Sequence, residues 1–256
     1  MTTWNSALYL KFESERTRAA GDLLARVPPV EAKFVCDLGC GPGNSTELLA
    51  KAFPEAKLMG LDHSEDMISV ARRRVPTAEF VHQDIESWRP TEQIDVIFAN
   101  AALHFLPDHE ALMKRLVSHL RPGGCLAVQM PNNMQEASHA AMRMLAADGP
   151  WARRLVPIAK GRPMIGPPDE YYELLAPLCR ELDIWQTNYL HSLNGPDDVV
   201  SWFEGSELNP FLEPLSPEER ADFLSRYRAE LAADYPRQAN GKVLFRYPRL
   251  FFVLQK

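Results

Sequence analysis

The segment Asp37-Leu38-Gly39-Cys40-Gly41-Pro42-Gly43-Asn44-Ser45-Thr46 sets three glycines in five residues between a short apolar run and a helix-like stretch. Glycines at such a turn let the backbone approach a ligand closely, with no Cβ in the way. The helix that follows turns its free N–H groups and positive dipole end back toward that ligand. Taken alone, the turn fits any nucleotide-like molecule. Downstream, two more apolar stretches each end on an acid, Asp62 and Asp84. The structural alternatives are that Asp62 caps a helix together with Ser64 and that Asp84 caps the short turn Ile85 to Trp88. His104 and His109 could suggest a metal, but no third ligand has suitable spacing, and ordinary loop and helix histidines account for them better.

Strand-like and helix-like stretches alternate around these residues. A helix is expected over residues 5 to 27, ended by Pro28-Pro29, with Trp4, Tyr9, Phe12 and Arg16 as candidate ligand-facing groups. Strands are expected at 34–38, 57–62, 78–84, 94–100 and 125–130. Helices are expected from 46 to about 53, from 65 to 74 and from 108 to 120. Strands that are apolar throughout and alternate with helices argue for a parallel sheet covered on both faces. Beyond Pro131 prolines become dense and the alternation breaks. Helices near 134–147, 169–178, 197–204 and 217–234 are expected as a cap, with 182–190 and 243–254 as closing strands.

With 256 residues and a net charge of −6, the chain suits one large domain and not a general nucleic-acid binder, which needs a basic face. No apolar run approaches the roughly 20 residues that span a bilayer. The start Met1-Thr2-Thr3-Trp4-Asn5 lacks the features of a signal peptide. Four cysteines without a CxxC pair read as reduced, mostly buried thiols, so a soluble cytoplasmic protein is expected.

A dinucleotide fingerprint would run GxGxxG, whereas here Asn44 stands at the third glycine and Asp37 precedes the turn. The pattern Asp37-x-Gly39-x-Gly41-x-Gly43 resembles the first motif of the class I S-adenosylmethionine-dependent methyltransferases. Asp62, Gln83-Asp84, Asn100 to Phe105 and Leu120 to Gly124 resemble that family's later motifs in the same order. The resemblance implies a three-layer α/β, Rossmann-like fold with a mostly parallel seven-stranded sheet, an antiparallel last strand and a helical cap. It implies S-adenosyl-L-methionine as cofactor and S-adenosyl-L-homocysteine as product. It places Asp37, Gly39, Gly41, Asn44, Asp62, Asp84, Ile85 and Asn100 around the cofactor, with Asp62 on the ribose hydroxyls, Asp84 on the adenine amino group and Ile85 as an apolar wall. A carboxylate suits the ribose because it can accept from both hydroxyls.

Along almost the whole chain the sequence also resembles the trans-aconitate 2-methyltransferases, small-molecule carboxyl O-methyltransferases. The segments are Trp4 to Phe12, Glu15-Arg16, Phe98 to Ala101, Leu106 to His109, Leu126 to Pro131, Tyr171-Tyr172, Asp183 to Trp185 and Pro248 to Phe251. This implies a single domain with an N-terminal helical lid (1–30), a cofactor-binding core (31–131), cap insertions (132–180 and 191–242) and closing strands (181–190 and 243–254). A small anionic acceptor is implied, with no nucleic acid and no membrane as partner, and a monomer or weak homo-oligomer. Cationic and hydroxyl groups would hold such an acceptor. The candidates are Tyr9, Arg16, Tyr171, Trp202 and Arg249. Arg246 and Arg249 sit at odd spacing on one strand, so at most one faces the pocket. No catalytic base is expected, because a carboxylic acid is already ionised at neutral pH, and no metal, since His104 and His109 lack a third ligand.

Overall fold

The computed structural model describes residues 11–256. The chain divides into two compact units. One, here the sheet unit, comprises Glu13–Pro131, Ile165–Thr187 and Arg249–Lys256; the other, the helical unit, is built mainly from Asn132–Met164 and Asn188–Pro248.

The sheet unit begins with α1 (Glu13–Leu24), which buries Ala19, Ala20 and Leu23 along one side. Then follow β1 (Phe34–Leu38), α2 (Asn44–Ala52), β2 (Lys57–Asp62), α3 (Glu65–Arg74), β3 (Glu79–His82) and β4 (Ile94–Asn100). A 3-10 turn, Leu103–Phe105, leads to α4 (His109–His119) and β5 (Leu120–Pro131). Local sequence explains the helix starts: the Ser64 hydroxyl accepts from the Met67 amide at α3, and Asp108 accepts from the Ala111 amide at α4.

The seven strands run in the order β3-β2-β1-β4-β5-β7-β6, with β6 at Glu181–Leu193 and β7 at Val243–Gln255. The pairs β1–β2, β2–β3, β1–β4 and β4–β5 are parallel, and β7 runs antiparallel to β5. Period-two alternation sorts the side chains onto two faces. Cys36, Leu38, Ile97, Ala99, Leu126, Val128, Leu250 and Phe252 join a core with Leu112, Met113 and Leu116 of α4 and with Tyr171 and Leu175 of α7 (Pro168–Leu175). Asp37, Phe98, Asn100, Ala127, Gln129 and Phe251 belong to the alternate positions.

The helical unit contains α5 (Ala137–Ala147), α6 (Ala152–Gly161), α8 (Pro196–Glu204), α9 (Asn209–Leu212) and α10 (Pro217–Asp234). A capping box, Ser216 with Glu219, starts α10. Its interior is aromatic: Trp202 is fully buried against Phe12, His191, Phe245 and Tyr247. Buried among these rings, Glu207 accepts from His139, from Arg162 at 2.8 Å and from the Tyr247 hydroxyl at 3.4 Å.

Several elements depart from expectation, β3, α7 and α6 among them. β3 ends at His82, two residues before Asp84, whose Oδ1 accepts from the Glu86 amide in the turn that follows. The segment expected as a cap helix at 169–178 is α7, which belongs to the sheet unit and buries Tyr171 and Leu175 there. Helix α6 was hidden by Pro157, which forfeits one interior hydrogen bond yet is tolerated inside it.

Candidate active site

In the sheet unit the chain leaves β1 toward β2 on one side and β4 lies on the other, so a crevice opens at the carboxyl ends of these strands. The glycine turn fills that point. The amides of Gly39 and Cys40 both donate to the Leu61 carbonyl, at 2.8 and 3.0 Å, which locks the turn onto the end of β2. Gly39 has φ +67°, and a Cβ there would lie 2.3 Å from Ala102 Cβ and 3.7 Å from Ile85 Cδ1. Only a glycine lets the turn, the end of β3 and the loop after β4 meet so closely. Gly41 has φ +53°, and a Cβ there would meet nothing within 4 Å among the described residues. Its face of the turn is the open cradle.

Two carboxylates are held beside the cradle. Asp62 is nearly buried, accepting from the Gly41 amide on Oδ2 and from the Ser64 amide on Oδ1, each at 2.9 Å. Each oxygen keeps a lone pair, so the group is aimed without being exhausted. Asp37 is fully buried, and its Oδ2 accepts from the Ser45 and Thr46 hydroxyls at 2.7 and 2.6 Å. Burial pushes its carboxyl up to about 6, against the lowering effect of the two hydroxyls. Its Oδ1 is buried with no partner among the described residues.

The remaining expected cofactor residues divide. Ile85 is buried beside Gly39. Asp84 is exposed and caps its turn through the Glu86 amide at 2.8 Å. Asn44 opens α2 and donates to Glu13 Oε1 at 2.9 Å and to Thr17 Oγ1 at 3.2 Å, tying the turn to α1; its Oδ1 is buried with no partner among the described residues. Asn100 ends β4, and its Oδ1 is likewise a buried acceptor without a partner among the described residues. The next residue, Ala101, has φ +55°, a strained conformation of the kind that accumulates at working sites.

The acceptor candidates also divide. Tyr9 lies outside the described residues. Arg16 is half-buried on α1. Arg249 is buried on β7 and donates to Gln129 Oε1 at 2.9 Å, whereas Arg246 is exposed and pairs with Glu136. Tyr171 is a core residue: its hydroxyl bonds His109 Nδ1, its ring stacks on Phe252, and burial pushes its phenol upward. Trp202 is wholly enclosed by rings of the helical unit. Both Tyr171 and Trp202 are thus packed among other side chains. His109 is engaged at both nitrogens, with Tyr171 and with the Leu103 carbonyl at 3.0 Å.

Sequence reasoning overlooked Ser45 and Thr46, Ala101 and Gln129. Two hydroxyls in the first turn of a helix, directly after the glycines, were a readable signal. So was the single amide in the apolar run Leu126 to Met130.

The donor and acceptor set fits S-adenosylmethionine: an orphaned buried carboxylate oxygen for an ammonium, an aimed carboxylate for hydroxyls, and a bare glycine face for close approach. A family model described as a methyltransferase domain matches residues 35–124. A putative methyltransferase from Bacillus halodurans covers 93% of this chain and 99% of its own at TM-score 0.56 and 16% identity. A Haemonchus contortus phosphoethanolamine N-methyltransferase, solved with S-adenosyl-L-methionine, covers 93% of this chain and 52% of its own at TM-score 0.54 and 17% identity. Fold and site define a class I S-adenosylmethionine-dependent methyltransferase.

Similarity at the level of sequence is far closer. Proteins named trans-aconitate 2-methyltransferase from Rhodopseudomonas palustris and Methylobacterium nodulans are 48% and 50% identical, each covering all of this chain and 100% and 99% of their own. The chain belongs to the trans-aconitate 2-methyltransferase family.

Proposed function

We propose that the protein transfers the methyl group of S-adenosyl-L-methionine to one carboxylate of trans-aconitate, giving the monomethyl ester and S-adenosyl-L-homocysteine. The observation that carries the cofactor half is the open Gly41 face beside Asp62, whose carboxylate the Gly41 amide aligns. The acceptor half is supported by the full-length relatives that bear that name.

When bound, the sulfonium supplies an electrophilic methyl group. In this reading Asp37 Oδ1 holds the cofactor's ammonium, Asp62 its ribose hydroxyls, Asp84 its adenine amino group and Ile85 the apolar side of the ring. Asn44 and Asn100 offer their unpartnered amide oxygens along the same rim. The acceptor carboxylate, with a pKa of about 4, arrives ionised and needs no general base. What the protein must do is hold a lone pair in line with the methyl group and exclude water, a contribution of roughly 7–11 kcal/mol when the geometry is right. Arg249 and Arg16 supply positive charge for the non-reacting carboxylates. We place the enzyme in the cytoplasm, a reading supported by the buried free thiols of Cys36, Cys40 and Cys125.

Incubation with methyl-labelled cofactor and trans-aconitate should give a base-labile methyl ester. Label no higher than in a heat-killed control overturns the proposal. A base-stable product from another acceptor in a screen would keep the methyltransferase and replace the substrate.

A further inference from the structure

We propose that Gln129 is an acceptor-binding residue: its side-chain NH2, set beside the Arg249 guanidinium, donates to a carboxylate of the methyl acceptor. The inference rests on the polycarboxylate reading above and deepens it.

Gln129 is fully buried near the carboxyl end of β5, in a strand otherwise lined by Leu126, Val128 and Met130. Arg249 Nη1 donates to its Oε1 at 2.9 Å. A guanidinium has donors and no acceptor, so this bond fixes which end of the amide is which: the oxygen meets Arg249 Nη1 and the NH2 is left as a donor. That NH2 is buried and has no hydrogen-bond partner among the described residues. Buried amide donors are nearly always paired, and an orphan in a native fold calls for a missing partner.

Its place in the sheet says what kind of partner. Gln129 is the register partner of Asn100, and Phe98, two residues earlier, is the register partner of Asp37. Asp37, Asn100 and Gln129 therefore share one face of the sheet toward the carboxyl ends of β1, β4 and β5. Arg249 belongs to that face too, two residues from Phe251, the register partner of Gln129 on β7. The Gln129 carbonyl accepts from the Ala101 amide at 2.9 Å, so the same residue anchors the strained turn after β4. An NH2 beside a guanidinium forms a donor pair for a planar oxyanion, which a carboxylate satisfies and an amine or a phenol does not.

Gln129→Met keeps length and volume but removes the donor. Gln129→Glu keeps the shape, pairs with Arg249 and turns a negative charge toward the acceptor. With saturating cofactor, Gln129→Met should raise the KM for trans-aconitate about tenfold or more while kcat stays within about threefold, and Gln129→Glu should raise it further. Cofactor affinity, measured by calorimetry, should not change in either. Unchanged acceptor KM in both variants overturns the proposal, as does a shift in cofactor affinity instead. Loss of the folded state in both would make the residue structural and also overturn it. Absence of ester formation by the wild-type protein would instead sink the acceptor reading itself, and this proposal with it.

Discussion

At the scale of single residues, the site sets function against stability most plainly at Asp37. Burial holds its carboxyl near 6 although two hydroxyls serve one oxygen, so the ionised form is carried at a cost while Oδ1 has no partner. The folded value lies above the unfolded one; stability linked to protonation is fully present below a pH of about 3.9 and is lost as pH rises through 6. Asp37→Asn keeps a carbonyl for Ser45 and Thr46 and removes that dependence. Without cofactor, the variant should therefore gain thermal stability relative to wild type between pH 5 and 7.5, read as the difference in Tm. Cofactor affinity should fall by about tenfold or more at pH 7.5, since an ammonium loses its counter-charge. Asp62→Ala should weaken the cofactor similarly, by about 1.5–3 kcal/mol in a calorimetric titration; undiminished affinity would leave Asp62 a cap and nothing more. Residue types exposed Asp37, Asp62 and Asn100 as site candidates because charged or amide groups at strand ends have few structural reasons to be there. At Tyr171 and Trp202 residue type shows a polar tip but not the packing that buries it, which only the tertiary structure displays.

At the scale of elements, one motif contains glycines with different duties, and substitution should separate them. Gly39→Ala drives a Cβ to 2.3 Å from Ala102 Cβ, so either the turn or the loop after β4 must move. Gly41→Ala meets nothing among the described residues and bears the left-handed backbone cost of about 1–2 kcal/mol. Denaturant titration should show Gly39→Ala the less stable of the two. Gly41→Ala should stay folded while cofactor binding drops below detection, because its new methyl stands in the open cradle. Equal stability, or cofactor binding retained by Gly41→Ala, would mean the turn does not face the ligand. The sheet was legible at this scale because parallel strands buried on both faces read as unbroken apolar runs, and β1, β2 and β4 fall where those runs lie. Where legibility failed, local and tertiary signals conflicted. Asp84 extends an apolar run but is claimed by its turn. Pro157 argues against a helix that tertiary packing of Leu155 supports. In α7 the apolar residues show that a face is buried without saying against what.

At the scale of the whole molecule, the division into a sheet unit and a helical unit interleaves three stretches of chain in each, so no linear reading could have drawn it. Long strands hide the boundary: β6 and β7 each contribute residues to both units within one continuous element. Two kinds of polar burial can be told apart among the described residues. In the sheet unit buried polar atoms of Asp37, Asn100 and Gln129 are left with unused valence, which suits a ligand. In the helical unit Glu207 is saturated by His139, Arg162 and Tyr247, which suits a scaffold. Removing one member of such a buried set leaves the others' charge uncompensated, a loss of about 3–5 kcal/mol. Glu207→Ala should therefore lower the thermal midpoint by several degrees, while the cofactor dissociation constant stays within about twofold because Asp37, Gly41 and Asp62 all belong to the sheet unit. Paired calorimetric scans and titrations decide between the roles. A variant with wild-type stability and lost turnover would instead make Glu207 part of the acceptor chemistry, since a group that only holds the helical unit together cannot lose the reaction without losing the fold.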